Sequence, residues 1–373
     1  MKVTVLTGGV GGARFLLGAR EFTSEESASG PGSPGAPREP GTPPGARSTP
    51  HDPALAAPAP KELGRSDIPR TSTTVPESGS EAPTAIVNVG DDTWMHDLRL
   101  CPDLDSCMYT LGGGIDNHKG WGRANETWSL REELAAYGAQ PDWFGLGDRD
   151  TATHLIRSQM MRAGYRLSDI TAALCARWNP GVRLLPASDD RSETFAVVTD
   201  PGSGDKKAIH FQEWWVKHRS DIETHSFVQV GADEARPAPG VLDAIASADI
   251  VLIAPSNPVV SIAPILAIPG IRGALRTTEA PIVGISPIID GAPLRGMADR
   301  CLRIVGAEVS SQGVAEYYGA RTATGILDGW LSHTGDPVSI PGVAVRETDI
   351  IMHDASATAS MIEQAIELAG VAR

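Results

Sequence analysis

Residues 3–20 read VTVLTGGVGGARFLLGAR. An apolar run of strand length, Val3 to Thr7, meets Gly8, Gly9, Gly11 and Gly12, and a helical stretch then runs toward Arg20. A second strand-like run, residues 85–89, restarts the chain after an interruption, so the order predicts a right-handed βαβ unit with a long crossover. Working outward, strand-like runs at 193–199, 207–216, 249–254, 280–286, 301–305 and 323–327 alternate with helical ones at 241–248, 310–318 and 357–369. Such alternation predicts an α/β fold, a Rossmann-like, doubly wound, mostly parallel sheet. Helical runs at 127–137, 151–163 and 167–178 predict a smaller, mainly helical cap domain, and residues 91–125 read as loop.

The interruption carries the chain's compositional bias. Residues 22–84 hold 13 of the 29 prolines and 7 of the 40 glycines, but only Leu55, Leu63, Ile68 and Val75 among leucine, isoleucine and valine. A segment with so little to bury cannot offset its chain entropy, so a disordered insertion is expected there. The chain then divides into 1–21 with 85–125 as the first part of the core, 126–192 as the cap, and 193–373 as the remainder of the α/β core. The formal net charge of −14 argues against partners that need a basic face, nucleic acid or an anionic membrane. Four cysteines in 373 residues exclude a disulfide-stapled scaffold. No targeting segment or uninterrupted apolar span is legible, so a cytoplasmic protein is expected.

Candidate site residues gather at the predicted strand ends. Gly8, Gly9, Gly11 and Gly12 would let a backbone approach a phosphate at a helix N-terminus; the alternative is a tight strand–helix turn. Asn88-Val89-Gly90-Asp91-Asp92 follows the second strand, and Asp103 and Asp105 follow closely. Hard carboxylate oxygens suit magnesium, which makes Asp91, Asp92, Asp103 and Asp105 candidate ligands; turn and cap chemistry is the alternative for each. Along His210-Phe211-Gln212-Glu213-Trp214-Trp215, strand alternation would place His210, Gln212 and Trp214 on one face, suited to a planar heterocycle. Ser256-Asn257, held between prolines, and Ser286 are polar turns that could donate to a phosphate or a base edge.

Taken together, the segments Thr7 to Arg14, Asn88 to Asp92, Pro102 to Asp105, Gly120-Trp121-Gly122, His210 to Val216 and Ser256 to Pro258 resemble the 2-phospho-L-lactate transferase family of deazaflavin coenzyme F(420) biosynthesis. Trp94, the run Cys107 to Gly114, and Pro141 to Phe144 resemble its actinobacterial branch. The resemblance implies a Rossmann-like homodimer that uses magnesium. It implies transfer of a phosphoenolpyruvyl or 2-phospholactyl group from a guanosine diphosphate conjugate of a three-carbon acid. The acceptor would be the ribityl hydroxyl of the deazaflavin Fo, and GMP would leave. Asp91 and Asp92 would then be catalytic. The glycine turn and Ser256-Asn257 would hold the donor, and Trp121, His210, Gln212 and Trp214 the deazaflavin. The sequence departs from the archaeal pattern at residues 123–127, where Gly-Asp-Thr is more usual. A non-catalytic, nucleotide-sugar-binding regulator similar to gluconeogenesis factor is the alternative.

Overall fold

The computed structural model describes residues 1–28, 82–116 and 119–372. In chain order the first part is β1 (Val3–Thr7), α1 (Gly9–Ala28), β2 (Thr84–Val87), a hairpin of β3 (Thr93–Met95) and β4 (Leu98–Leu100), and α2 (Pro102–Leu111). Three helices follow, α3 (Ser129–Ala136), α4 (Asp148–Arg162) and α5 (Leu167–Trp178), then β5 (Arg183–Pro186), β6 (Glu193–Thr199), β7 (Lys206–His210) and β8 (Thr224–Val230). The last part runs α6 (Val241–Ala246), β9 (Ile250–Ile253), α7 (Ala263–Ala267), α8 (Ile271–Thr277), β10 (Ile282–Ile285), β11 (Ile288–Ile289), β12 (Ala292–Pro293), α9 (Ala298–Ile304), α10 (Ser311–Tyr318), β13 (Gly329–His333), β14 (Ala344–Thr348) and α11 (Ala355–Ala369).

The central sheet has seven strands in the order β14-β13-β10-β9-β1-β2-β5, and every pairing is parallel. Strand β1 lies inside the sheet. From it the chain builds outward through β2 to β5, then returns to the other flank of β1 and builds through β9 to β14. The order therefore reverses between β1 and β9, and the carboxyl ends of those strands open a crevice. Strands β1, β9 and β10 are buried at every residue, as a parallel sheet covered on both faces requires. Helix α1 packs against α2 and α11, while α8 packs against α6 and α7. The expected doubly wound α/β architecture is present. No single helix among the described residues is long and apolar enough to cross a membrane.

Several boundaries move. Helix α1 continues to Ala28, past the expected edge of the insertion, because Phe22 and Thr23 still have a core to pack against. The disorder expected for residues 29–81 lies outside the described residues. Within 126–192, α3 packs on α4 and α4 on the β3–β4 hairpin, while α5 packs on β5 and α2 of the core as well as on α4. Strand β5 of that range belongs instead to the central sheet, beside β2. Leu146, just before α4, joins Met95 and Leu100 of the β3–β4 hairpin in a small apolar cluster. Strands β6, β7 and β8 form a separate antiparallel sheet rather than extending the main one.

Several sequence expectations for secondary structure fail for identifiable reasons. Residues 301–305 lie mostly in α9, where Ala298, Cys301 and Leu302 recur at helical spacing and are buried. Residues 323–327 form turns, and the strand begins at Gly329. Residues 91–125 contain the β3–β4 hairpin and α2 rather than loop throughout.

Candidate active site

Three chain turns meet at the crevice. Asn88 follows β2 and donates its backbone N–H to Thr7 O at 2.9 Å. Gly8 follows β1; its N–H donates to Ser256 Oγ at 3.2 Å, and the Ser256 hydroxyl donates to Gly8 O at 2.8 Å. Ser256 thus stitches the β1 turn to the β9 turn across the point of strand reversal. Asn88 ties the acids together. Its Nδ2 lies 2.9 Å from Asp103 Oδ2 and 3.2 Å from both Asp91 Oδ1 and Val260 O, while its Oδ1 accepts from the Gly90 N–H at 2.8 Å.

The glycines here answer mainly to protein atoms. A Cβ on Gly8 would lie 2.6 Å from Asp103 Oδ2, and one on Gly12 would lie 2.0 Å from Thr7 Oγ1. A Cβ on Gly90 would meet Thr194 Oγ1 at 2.7 Å, and one on Gly11 would meet Pro255 O at 3.0 Å. Gly9 is the open position, with a φ of 66° that glycine adopts without strain. Its N–H favours the ionised Asp103 carboxylate, so the chain places its own acid near the positive end of α1.

The four candidate acids separate into two pairs with different surroundings. Asp91 and Asp103 flank Asn88, and no lysine or arginine is paired with either among the described residues. Burial lifts the Asp91 carboxyl well above the ordinary range, and the nearby Asp103 raises it further. Burial likewise lifts Asp103 to about 6, against the hydrogen bonds from Asn88 and Gly9. Asp92 and Asp105 face the interior and meet arginines. Arg99 Nη2 lies 3.4 Å from Asp92 Oδ2, and its Nη1 donates to Glu193 Oε1 at 2.7 Å. Burial still holds Asp92 at about 7 against the pull of Arg99. Arg157 pairs with Asp105, whose carboxyl burial raises despite that cation.

The Arg157 network also engages His154 and Asp150. Asp105, Asp150 and His154 have ligand atoms within 4.8 Å of one another, a spacing that could hold a metal ion. Arg157 occupies that place instead, with Nη1 3.2 Å from His154 Nδ1, and Tyr109 donates its hydroxyl to Asp150 at 2.6 Å. A guanidinium already pairs with one of the two carboxylates in this cluster. Asp91 and Asp103 are therefore the acids whose donor set fits magnesium: hard oxygens, two negative charges and no internal cation.

The remaining candidates divide between buried and open positions. The expected strand through residues 207–216 ends at His210, and residues Glu213–Lys217 form one turn of π-helix. Alternation is lost, so His210, Gln212 and Trp214 do not share a strand face. Trp214 is fully buried; it packs against Phe211 and Phe227 and donates Nε1–H to Thr224 Oγ1 at 2.7 Å. That makes Trp214 a core residue rather than a ligand platform. Gln212 is buried, and His210 Nε2 lies 3.2 Å from Asp92 O. Asn257 caps a second π-turn, accepting from the Val259 N–H at 3.0 Å, and Ser286 closes its own turn by donating to Ile288 O at 2.8 Å. Trp121 is 54 % exposed and lines a cleft with Lys119, Arg123, Glu126, Trp128 and Asp150.

Reading the sequence missed Arg99, Arg157 and Glu193 altogether. Arg99 meets Glu193 across 94 residues and Arg157 meets Asp105 across 52, separations that no local pattern announces, although Asp92 lies only seven residues before Arg99. The placement of Asp103 and Asp105 on a helix was available: Pro102 stands at the first helical position, and Leu104, Cys107, Met108 and Leu111 follow at helical spacing.

Comparison with known proteins follows from this geometry. A family model described as 2-phospho-L-lactate transferase CofD matches residues 70–367. A Mycolicibacterium smegmatis protein named phosphoenolpyruvate transferase is 57 % identical over 371 residues, covering 100 % of this chain and 99 % of its own. Proteins of the same name from Nocardia farcinica and Mycobacterium leprae are each 55 % identical; they cover 99 % and 100 % of this chain, and 95 % and 99 % of their own. Among solved structures, a Bacillus halodurans protein of the UPF0052 family superposes with a TM-score of 0.51 at 16 % identity, covering 97 % of this chain and 98 % of its own. That last likeness concerns the fold alone.

Proposed function

The chain belongs to the 2-phospho-L-lactate transferase CofD family, and from that premise we propose that it transfers a phosphoenolpyruvyl group from a guanosine diphosphate conjugate to the ribityl hydroxyl of the deazaflavin Fo, releasing GMP. The coarser statement, a transferase of the phosphoenolpyruvate or 2-phospholactate type in coenzyme F(420) biosynthesis, follows from the family and from relatives of that name along the whole chain. The structural observation that carries the finer reading is the Asp91–Asp103 pair, buried beside the first turn of α1 without a cation of its own. The regulator alternative is not favoured.

Asp91 and Asp103 would hold magnesium, which when bound offsets charge on a diphosphate. Asn88 keeps the two carboxylates in register, and Gly9 fixes Asp103 from behind. Transfer of this kind depends on positioning more than on covalent participation by the enzyme. The hydroxyl oxygen bonds to the distal phosphorus as the bond from that phosphorus to the GMP oxygen breaks. The hydroxyl proton passes to Asp91, which retains slight exposure while Asp92 has none. Asp92, joined to Arg99, acts by fixing the turn that carries Asp91. Trp121 offers an open ring on which the deazaflavin can stack. The reading includes a homodimer, which light scattering in solution checks.

Mass spectrometry of the product tests the reaction. Purified protein, magnesium, Fo and the enolpyruvyl-diphosphoguanosine donor should give GMP and a product two hydrogens lighter than the lactyl product. Absence of any Fo adduct with either donor would overturn the reading.

A further inference from the structure

The turn after β12 carries Arg295, an exposed arginine. Gly291 and Gly296 bracket this stretch, both at positive φ (75° and 81°). The guanidinium lies against the Gly120 loop: a Cβ on Gly120 would be 3.0 Å from Arg295 Nη1 and 3.4 Å from Val10 Cγ1. Val10 is the second residue of α1, next to the Gly8–Gly9 turn that meets Asp103. Arg295 and Val10 thus both lie beside Gly120, which brings this turn near the start of α1.

Its neighbours show what sets it apart. Arg300 and Arg303 on α9 have carboxylate partners, Asp221 at 3.8 Å and Asp299 at 2.8 Å. Lys119, one residue from Gly120, lies 3.6 Å from Asp116. Arg295 pairs with no carboxylate among the described residues. A diphosphate entering this crevice brings negative charge to a place where Asp91 and Asp103 already repel each other. A cation held by those acids offsets the acids first and leaves the donor's outer oxygens in need of a partner. An arginine fork can bond two such oxygens at once. Gly120, lacking a side chain, leaves room for the guanidinium to lie over the loop.

We propose that Arg295, held over Gly120 near the first turn of α1, binds the phosphate oxygens of the donor diphosphate; the assignment rests on the transferase reading above. Arg295→Ala tests it, and because the residue is exposed the variant should keep the wild-type melting temperature. Isothermal titration with inorganic pyrophosphate in the presence of magnesium should show affinity falling about tenfold, the worth of one charged hydrogen-bonding pair. The donor KM should rise by a similar factor, while the KM for Fo stays within about twofold. Arg295→Lys, which keeps the charge but not the fork, should recover only part of the loss. Pyrophosphate affinity within about twofold of wild type in Arg295→Ala would overturn the assignment. The two readings fail separately. A wild type that binds pyrophosphate through Arg295 but makes no Fo product loses the transferase reading and keeps Arg295. A variant with an unchanged donor KM loses Arg295 and keeps the transferase.

Discussion

Replacing Arg157 with methionine tests how the four acids are divided. Arg157 is 2 % exposed and Asp105 4 %, so solvent screens their interaction little. One Asp105 oxygen accepts from Arg157, and the other has no hydrogen-bond partner. His154 stands 3.6 Å from Asp105 but also faces Asp150. Arg157→Met therefore leaves a buried carboxylate without its main counter-charge. Breaking such a pair from one side costs about 3–5 kcal/mol, whereas replacing both partners with neutral groups is near neutral. Asp105→Asn alone strands Arg157 and should cost a similar amount. The double variant Asp105→Asn/Arg157→Met should recover most of the loss, with a coupling of at least about 2 kcal/mol. Urea denaturation followed by tryptophan fluorescence reads these values from midpoints at a common slope. A loss below about 1 kcal/mol in Arg157→Met, or a double variant no more stable than the worse single, would refute the pairing.

Three further outcomes follow from the same geometry. In turnover against magnesium concentration, Asp103→Asn should need about tenfold more metal for half-maximal rate, and Asp105→Asn should shift that point by less than about twofold. Gly8→Ala forces a methyl against Asp103, Ser261 and Asn88, at 2.6, 2.8 and 3.0 Å; it should cost about 1–3 kcal/mol and show as a lowered melting temperature together with reduced turnover. Burial pushes the Cys175 and Cys301 thiols up to about 12 and raises those of Cys101 and Cys107 well above the ordinary thiol range. The native protein should therefore react slowly with a thiol reagent at pH 8 and yield all four free thiols once denatured.

Much of the fold was legible because its determinants are local. Val3 to Thr7, Ile250 to Ile253 and Ile282 to Ile285 are short apolar runs bounded by turn residues, and all three are central strands. Leu167–Trp178 carries a helical apolar repeat and forms α5 over those residues. The region from 91 to 125 was harder. Glycines at 112, 113 and 114 suggested loop, although they only terminate α2. The chain past His210 was harder still. Arg219 and Ser220 both take left-handed conformations that residue type does not announce. Arg300 holds that turn from α9 by donating to Ser220 O at 2.8 Å. An interaction across 80 residues fixes the backbone, and no pattern within residues 207–220 encodes it.

The division of the acids shows the same limit at the site itself. Asp91 and Asp92 are adjacent and chemically identical, and composition could only nominate both. The turn after Gly90 sends them to different surroundings: Asp91 beside Asn88 and Asp103, and Asp92 toward Arg99. Asp103 and Asp105 divide in the same way at the start of α2, because residues two apart on a helix do not share a face. One member of each pair is drawn into an arginine network, and the other is left beside α1. Two uncompensated buried carboxylates raise each other's proton affinity and oppose folding, a cost that a cation at that point would offset. Arginines pair with Asp92 and Asp105, and none pairs with Asp91 or Asp103 among the described residues, which is why the proposed magnesium is assigned to the first pair.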